Sequence, residues 1–170
     1  AISRHIKELG VNSDAHLSCI SSTKADVREK LGQLKEAGLE NILALRGDIP
    51  ENFAGNLEYG YANELVADIK KFGGFCIGGA CYPEGHPESR TVYSDIENLR
   101  RKVDAGCDYL TTQMFFDNDL FYSFLAKAYS AGITVPVIPG IMPITRASQV
   151  RRTLTRSGTP RPAKFRRIGD

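Results

Sequence analysis

The sequence predicts an α/β fold with a parallel sheet built from about five consecutive βα units. Five segments with helical spacing end at a glycine, and a β-rich run follows each glycine within a few residues. Glycine suits the left-handed position that ends a helix, and strands that alternate with helices of this length form parallel sheets with right-handed connections. The five glycines are Gly10, Gly38, Gly73, Gly106 and Gly132.

Each predicted strand runs into a polar or otherwise unusual segment. Because the carboxyl ends of parallel strands face the ligand in folds of this class, we expect a functional site there. The most informative case is the apolar run 41–45, which leads directly into Arg46, Gly47 and Asp48. The predicted strands are residues 16–20, 41–45, 75–80, 109–116 and 135–141.

Two helices carry recognisable start signals. Thr23 with Asp26, and Ser94 with Glu97, have the spacing of a capping box, in which a hydroxyl and a carboxylate satisfy the first turn. In the second of these helices the apolar stripe is Ile96, Leu99 and Val103, which a period of 3.6 residues places on one side. An adjacent face carries Asp95, Asn98 and Lys102, with Arg101 at its margin. Spacing alone fits either a solvated face or a binding face.

Composition is that of a soluble globular protein. The 170 residues are 42% hydrophobic and 25% charged, with a formal net charge of +2. No apolar run is long enough to span a bilayer and no secretory pattern is present, so cytoplasmic location is the default expectation. Four cysteines without a C-x-x-C pair indicate buried thiols rather than disulfides, and no metal site is expected.

Both ends of the chain have the pattern of an incomplete domain. Ile2, Ile6 and Leu9 already have helical spacing, with no capping residue before them. A helical pattern at 148–154 precedes an end that is rich in Pro, Gly and Arg. We therefore expect residues 1–170 to form a single partial domain, truncated at both ends.

Six motifs in a fixed order resemble the methylenetetrahydrofolate reductase family, over nearly the whole chain. They are His16-Leu17-Ser18-Cys19, Ala44-Leu45-Arg46-Gly47-Asp48, Tyr82-Pro83-Glu84-Gly85-His86-Pro87, Arg101-Lys102-Val103-Asp104-Ala105-Gly106, Thr112-Gln113-Met114-Phe115-Phe116-Asp117 and Pro139-Gly140-Ile141-Met142-Pro143. The resemblance implies a (β/α)8 TIM barrel that binds FAD. This segment would supply strands three to seven, while strands one, two and eight would be absent.

The resemblance also implies an activity in one-carbon and methionine metabolism. In that family NAD(P)H reduces the flavin, which reduces 5,10-methylenetetrahydrofolate to 5-methyltetrahydrofolate. Partners would be this small-molecule substrate and, for the full-length protein, further copies of the same chain. The family's general acid is a glutamate at the end of the first strand, to which no residue here corresponds. Activity of the isolated 170-residue chain is therefore not expected.

Site residues follow from the same resemblance. Asp48 is expected close to flavin and folate, in a catalytic role. Gln113 and Gln149 are expected to contact folate, with Gln113 touching nicotinamide in turn. The residues expected to bind FAD are His16, Arg46, Gly47, Asp48, Ala62, Tyr82, His86, Ser89, Asp95, Asn98, Arg101 and Lys102.

Two alternatives accompany this interpretation. Five βα units also suit a flavodoxin-like module, which would bind a flavin without reducing a carbon substrate. Residues 151–170 carry seven basic side chains against one acidic one, a net +6, and such a tail can bind nucleic-acid phosphates. Only Phe165 is available there for base stacking, so we expect no nucleic-acid partner.

Overall fold

The structure is a computed structural model that describes residues 2–48, 57–143, 145, 146 and 149. Within these ranges helices and strands alternate, as the glycine pattern predicts. The elements are α1 (Ile2–Glu8), β1 (Asp14–Ser18), α2 (Lys24–Glu36), β2 (Asn41–Leu45), α3 (Ala62–Phe72), β3 (Cys76–Cys81), α4 (Val92–Asp104), β4 (Tyr109–Thr112), α5 (Asn118–Ser130) and β5 (Val137–Ile138).

The five strands form one sheet in the order β1-β2-β3-β4-β5. β2 pairs in parallel with both neighbours, and Asn41 lies opposite Asp14 on β1 and Cys76 on β3. A spatial order equal to the chain order is the winding of consecutive strands in a TIM barrel. A flavodoxin-like sheet has the order 2-1-3-4-5 instead. The α/β TIM-barrel prediction is confirmed, and the flavodoxin-like alternative is wrong.

The predicted helix ends are confirmed, because all five glycines that follow the helices have positive φ angles. The first capping box is also confirmed: Thr23 Oγ1 accepts from the Asp26 N–H at 3.1 Å, and Asp26 Oδ2 accepts from the Thr23 N–H at 2.9 Å. The second capping box is wrong. α4 begins at Val92, and Thr91 and Ser94 exchange backbone and side-chain hydrogen bonds at 3.1 Å. The start signal therefore lies three residues earlier than predicted.

Two strands, β4 and β5, are shorter than the sequence predicts, and β1 and β3 have the predicted length but are shifted along the chain. β1 begins at Asp14, while β4 ends at Thr112 rather than 116. After β4 the Gln113 N–H still donates to the Cys81 carbonyl at 2.7 Å, and the Thr112 hydroxyl accepts from the Gly140 N–H at 2.8 Å. β5 keeps only two residues. The predicted strands 109–116 and 135–141 were too long because apolar composition continues beyond the residues whose backbones pair.

By internal contacts the chain divides into two compact units. The described residues within 1–80 and 101–110 form the first, and those within 81–100 and 111–170 form the second. The core of the first unit lies between its strands and the helices α2 and α3. Its buried members are Leu17, Cys19, Val27, Leu31, Ile42, Ala44, Tyr59, Leu65, Val66, Ile69, Ile77 and Cys107.

One contact in the first unit, between β1 and β4, indicates that its sheet is curved. The Tyr109 hydroxyl at the start of β4 donates to Asp14 Oδ2 at the start of β1, at 2.6 Å. A Cβ atom at Gly78 would collide with the Tyr109 ring, so the ring lies across β3. In a flat sheet β1 and β4 would be roughly 14 Å apart, with their side chains perpendicular to the sheet. The curvature that brings these two groups together is the one that barrels need.

The second unit is organised around α4 and α5. Ile96 and Leu99 on α4 and Phe124 and Ala128 on α5 are buried. The third predicted stripe position of α4, Val103, is partly buried and packs against the core of the first unit, so the predicted apolar stripe is confirmed. The Phe115 and Phe121 rings are stacked, with centroids 4.7 Å apart. No helix within the described ranges is long and apolar enough to cross a membrane.

Candidate functional site at the carboxyl ends of the strands

The turn after β2 is built by backbone pairing with the segment after β1. The Arg46 carbonyl accepts from the N–H groups of Cys19 at 3.2 Å and Ile20 at 2.9 Å. Gly47 follows with φ +86°, and a Cβ atom there would lie 3.1 Å from Ile20 Cγ2 and 3.3 Å from Ser18 Cβ. Both the conformation and the crowding require glycine. The turn fixes the direction in which the chain reaches Asp48.

Asp48 is exposed at the end of this turn, and no described residue donates a hydrogen bond to its carboxylate. The half-buried Arg46 donates from Nε to the Gly47 carbonyl at 3.3 Å. His16 is exposed on β1, while Ala62 is half-buried at the first position of α3. In the first unit the turn therefore presents a carboxylate to solvent, next to a guanidinium.

Lys102 on α4 reaches the end of β3, still within the first unit. Its ammonium donates to the Ala80 carbonyl at 2.7 Å. The aliphatic part of the side chain passes Gly79, where a Cβ atom would lie 3.0 Å from Lys102 Cδ and 2.9 Å from Cys107 Sγ. Arg101 is exposed beside it. The Lys102 ammonium thus lies at the end of β3, and the binding role predicted for it and for Arg101 stays a prediction.

The loop 82–89 follows β3 and belongs to the second unit. Two turns shape it: the Gly85 N–H donates to the Tyr82 carbonyl at 3.0 Å, and the Ser89 N–H donates to the His86 carbonyl at 2.9 Å. The rings of Tyr82 and His86 meet edge to face, with centroids 4.6 Å apart. Three predicted site residues, Tyr82, His86 and Ser89, therefore lie together in one ordered loop.

Asp95, in the first turn of α4, contacts this loop directly. Its Oδ2 accepts from the His86 N–H at 3.2 Å, and its Oδ1 accepts from the Ser89 hydroxyl at 2.9 Å. The structure thus brings Asp95 together with two other predicted site residues. Asn98, one turn further along α4, is exposed.

The two predicted substrate residues lie in different surroundings within the second unit. Gln113 is half-buried immediately after β4, and its Oε1 accepts from the Met114 N–H at 3.3 Å. Gln149 is exposed, and its Oε1 accepts from the Thr145 and Arg146 N–H groups at 2.9 and 3.0 Å. Residues 151–170, with the basic tail, lie outside the described residues.

Glu84 has no role assigned from the sequence, although the structure gives it unusual surroundings. The side chain is half-buried in the loop after β3. Burial, followed by the charge of Asp117, raises the pKa of this carboxyl above its ordinary value. No local spacing could have shown this, because the desolvation comes from the packing of the loop.

The thiols follow the prediction with one exception. Cys19, Cys81 and Cys107 are buried and Cys76 is exposed, and no disulfide joins them. Burial raises the pKa of Cys107 to about 11. Among the described residues no group of three His, Cys, Asp or Glu side chains could hold a metal ion.

Solved structures of similar fold have little sequence in common with this chain. A 2,3-dimethylmalate lyase of the PEP mutase/isocitrate lyase superfamily aligns with a TM-score of 0.57 at 10% identity, covering 95% of this chain and 66% of that protein. A phosphonopyruvate hydrolase aligns with a TM-score of 0.55 at 12% identity, covering 91% and 67%. At such low identity this likeness supports the fold alone.

Curated relatives are much more similar in sequence. A 5,10-methylenetetrahydrofolate reductase from Salmonella typhimurium is 39% identical over 153 residues, covering 89% of this chain and 51% of the relative. The Escherichia coli protein of the same name is 37% identical, covering 95% and 54%. Methylenetetrahydrofolate reductase 2 from Saccharomyces cerevisiae is 44% identical, covering 81% and 24%.

The chain spans about half the length of these bacterial relatives. The model of one protein family, methylenetetrahydrofolate reductase, matches residues 1–167. A match over nearly every residue, together with these relatives, shows that the chain belongs to the methylenetetrahydrofolate reductase family.

Proposed function

We propose that the full-length protein containing this chain reduces 5,10-methylenetetrahydrofolate to 5-methyltetrahydrofolate, with NAD(P)H as hydride donor and FAD as cofactor. It would act in the cytoplasm, in one-carbon and methionine metabolism, and as a homo-oligomer. Family membership supports the reaction class. The observation that carries the proposal is the exposed Asp48 carboxylate, which follows directly on a turn that requires glycine.

The chemistry of the candidate residues fits FAD. A pyrophosphate needs cationic donors, and Arg101 and Lys102 lie side by side at the end of α4. A ribose needs hydrogen-bonding side chains, which Asn98 offers from the exposed surface of the same helix. Gly47 allows the backbone to approach a flat ring closely. FAD, when bound, would relay hydride from the nicotinamide to the folate carbon.

Asp48 would act through its charge. A carboxylate beside the flavin disfavours added electron density on that ring and so lowers its potential. The same charge favours a cationic iminium form of the folate over the neutral form. Asp48 would thus restrain the reduction of the flavin and also activate the substrate.

Gln113 and Gln149 would orient the folate. A pterin edge offers donors and acceptors side by side, which suits a side-chain amide. Gln113 stands at the end of β4 with its Oε1 held by the Met114 N–H, which leaves the amide NH₂ as the group to donate. The proton that the folate requires would come from a residue outside this chain, since the resemblance assigns none here.

The experiment uses the full-length parent and an Asp48→Asn variant. The wild-type protein should carry FAD, visible as a yellow chromophore released on heating, and should reduce the folate with NAD(P)H. Asp48→Asn should raise the flavin midpoint potential by an amount on the order of tens of millivolts, because one negative charge is removed. Folate turnover should fall more than nicotinamide oxidation does.

Asp119→Asn is the matched control, because it removes the same charge from an exposed position in the first turn of α5. It should leave potential and turnover unchanged. A colourless wild-type protein that takes up no added FAD would refute the cofactor. An unchanged potential in Asp48→Asn would show that Asp48 is only a turn residue.

A further inference from the structure

We infer that Asp95 is a positioning residue, which ties α4 to the loop 82–89 and thereby fixes His86 as a hydrogen-bond donor through Nε2. The expected effect on FAD binding rests on the proposed function. The expected effect of Asp95 on the orientation and tautomer of the His86 ring does not depend on the proposed function.

The carboxylate of Asp95 holds the loop at two points. Oδ2 accepts from the His86 N–H at 3.2 Å and Oδ1 from the Ser89 hydroxyl at 2.9 Å. The Asp95 N–H itself donates to the Thr91 carbonyl at 3.1 Å, so the residue is fixed in the first turn of its helix. Negative charge is favourable at this end of a helix. An asparagine could accept only one of the two bonds with its single oxygen.

The loop in turn fixes the ring of His86. The Glu88 N–H donates to Nδ1 at 3.1 Å, and the Tyr82 ring packs against the imidazole edge to face. A neutral imidazole that accepts at Nδ1 carries its proton on Nε2. His86 therefore offers one donor of defined direction, and its backbone is held by Asp95.

Electrostatics also favours a positioning role for Asp95. An ionised carboxylate only accepts hydrogen bonds and repels the phosphates of a dinucleotide. The phosphates are therefore unsuitable partners for Asp95, and the described contacts of its carboxylate are the two hydrogen bonds to the loop. The family resemblance assigns Asp95 to the cofactor, and its two hydrogen bonds connect it to the loop as well.

The test measures the His86 tautomer and FAD affinity in the full-length parent. Nitrogen-15 NMR of the imidazoles is recorded without FAD at about pH 8, where an ordinary histidine is neutral, and His86→Gln identifies the signal. In the wild type the Nε2–H tautomer should dominate. Asp95→Asn and Ser89→Ala should both lower its population.

In the same variants FAD should bind more weakly, by roughly tenfold for Asp95→Asn, as expected for the loss of one charged hydrogen bond. The double variant should bind FAD no more than about twofold more weakly than Asp95→Asn alone, because both changes break the same connection. Asp119→Asn is the charge-matched control and should change neither quantity.

Three results decide between the explanations. Weaker FAD binding in Asp95→Asn with an unchanged tautomer would make Asp95 a direct contact and overturn the inference. An unchanged tautomer and unchanged affinity would overturn it as well. If the wild-type parent binds no FAD, the proposed function fails, while the tautomer comparison still shows whether Asp95 fixes His86. Ser89→Ala keeps the charge on α4 and so tests the connection even if Asp95→Asn fails to fold.

Discussion

At the scale of the single residue, Glu84 shows how packing changes the chemistry of an ordinary side chain. Its carboxyl is half-buried near the end of β3, and burial together with Asp117 raises its pKa. A raised pKa means that the folded protein binds this proton more tightly than the unfolded chain does. Protonation of Glu84 therefore stabilises the folded protein at low pH. This stabilisation is lost as the pH rises through the pKa that Glu84 has in the folded protein.

We therefore predict that Glu84→Gln gains stability over the wild type as the pH rises from about 4 to about 7, since unfolded glutamate titrates near 4.3. The measurement is the difference in urea midpoint between the two proteins at both pH values. Glu36→Gln, an exposed position at the end of α2, controls for the change in net charge. A difference that does not change with pH would show that the Glu84 carboxyl is as well solvated in the folded protein as in the unfolded chain.

At the scale of the element, the packing of α4 on β3 depends on a glycine in the strand. Gly79 lies against the Lys102 side chain and the Cys107 thiol, and this close approach brings the Lys102 ammonium to the Ala80 carbonyl. Any larger residue would separate the helix from the strand or displace Lys102. The small size of Gly79 on β3 thus sets the position of the Lys102 ammonium, which is a candidate phosphate-binding group.

We predict that Gly79→Ala destabilises the protein by about 1–3 kcal/mol, the usual cost of overpacking a tight contact, and weakens FAD binding in the parent. Gly32→Ala is the matched control, because a Cβ atom at Gly32 meets nothing within 4 Å. In the middle of α2 that change should stabilise by up to about 1 kcal/mol. Urea unfolding of both variants gives the comparison, and equal effects of the same sign would refute the packing argument.

At the scale of the whole chain, the Tyr109–Asp14 contact joins residues 95 positions apart. It lies across β3 over Gly78 and requires a curved sheet. Burial and the bond to Asp14 raise the pKa of Tyr109, so the hydroxyl keeps its proton and remains the donor. The contact stabilises the curvature that distinguishes a barrel segment from an open sheet.

We predict that Tyr109→Phe lowers the free energy of unfolding by about 1 kcal/mol, the net value of one such hydrogen bond. Tyr129→Phe is the control, because Tyr129 is 75% exposed at the end of α5 and should change stability by less than about 0.5 kcal/mol. Equilibrium urea unfolding monitored by circular dichroism measures both. Equal stability of the two variants would show that the contact contributes nothing to the curved sheet.

The sequence by itself determined the order and type of the elements. Positive-φ glycines such as Gly38 and Gly132, and the Thr23–Asp26 cap, act over at most four residues, so their spacing in the chain is enough to identify them. The six motifs also identified the family, which the match over residues 1–167 confirms. Strand lengths and the start of α4 were less accurate, because apolar composition does not show where pairing or capping ends.

Only the tertiary structure decided what the site residues do locally. The sequence identified Asp95, His86 and Ser89 as candidates, but it could not show that Asp95 accepts hydrogen bonds from the other two. It could not show the raised pKa of Glu84 or the contact of Tyr109 with Asp14. The physical reason is that desolvation and long-range hydrogen bonds depend on distances between segments that meet only when the sheet and its helices have folded.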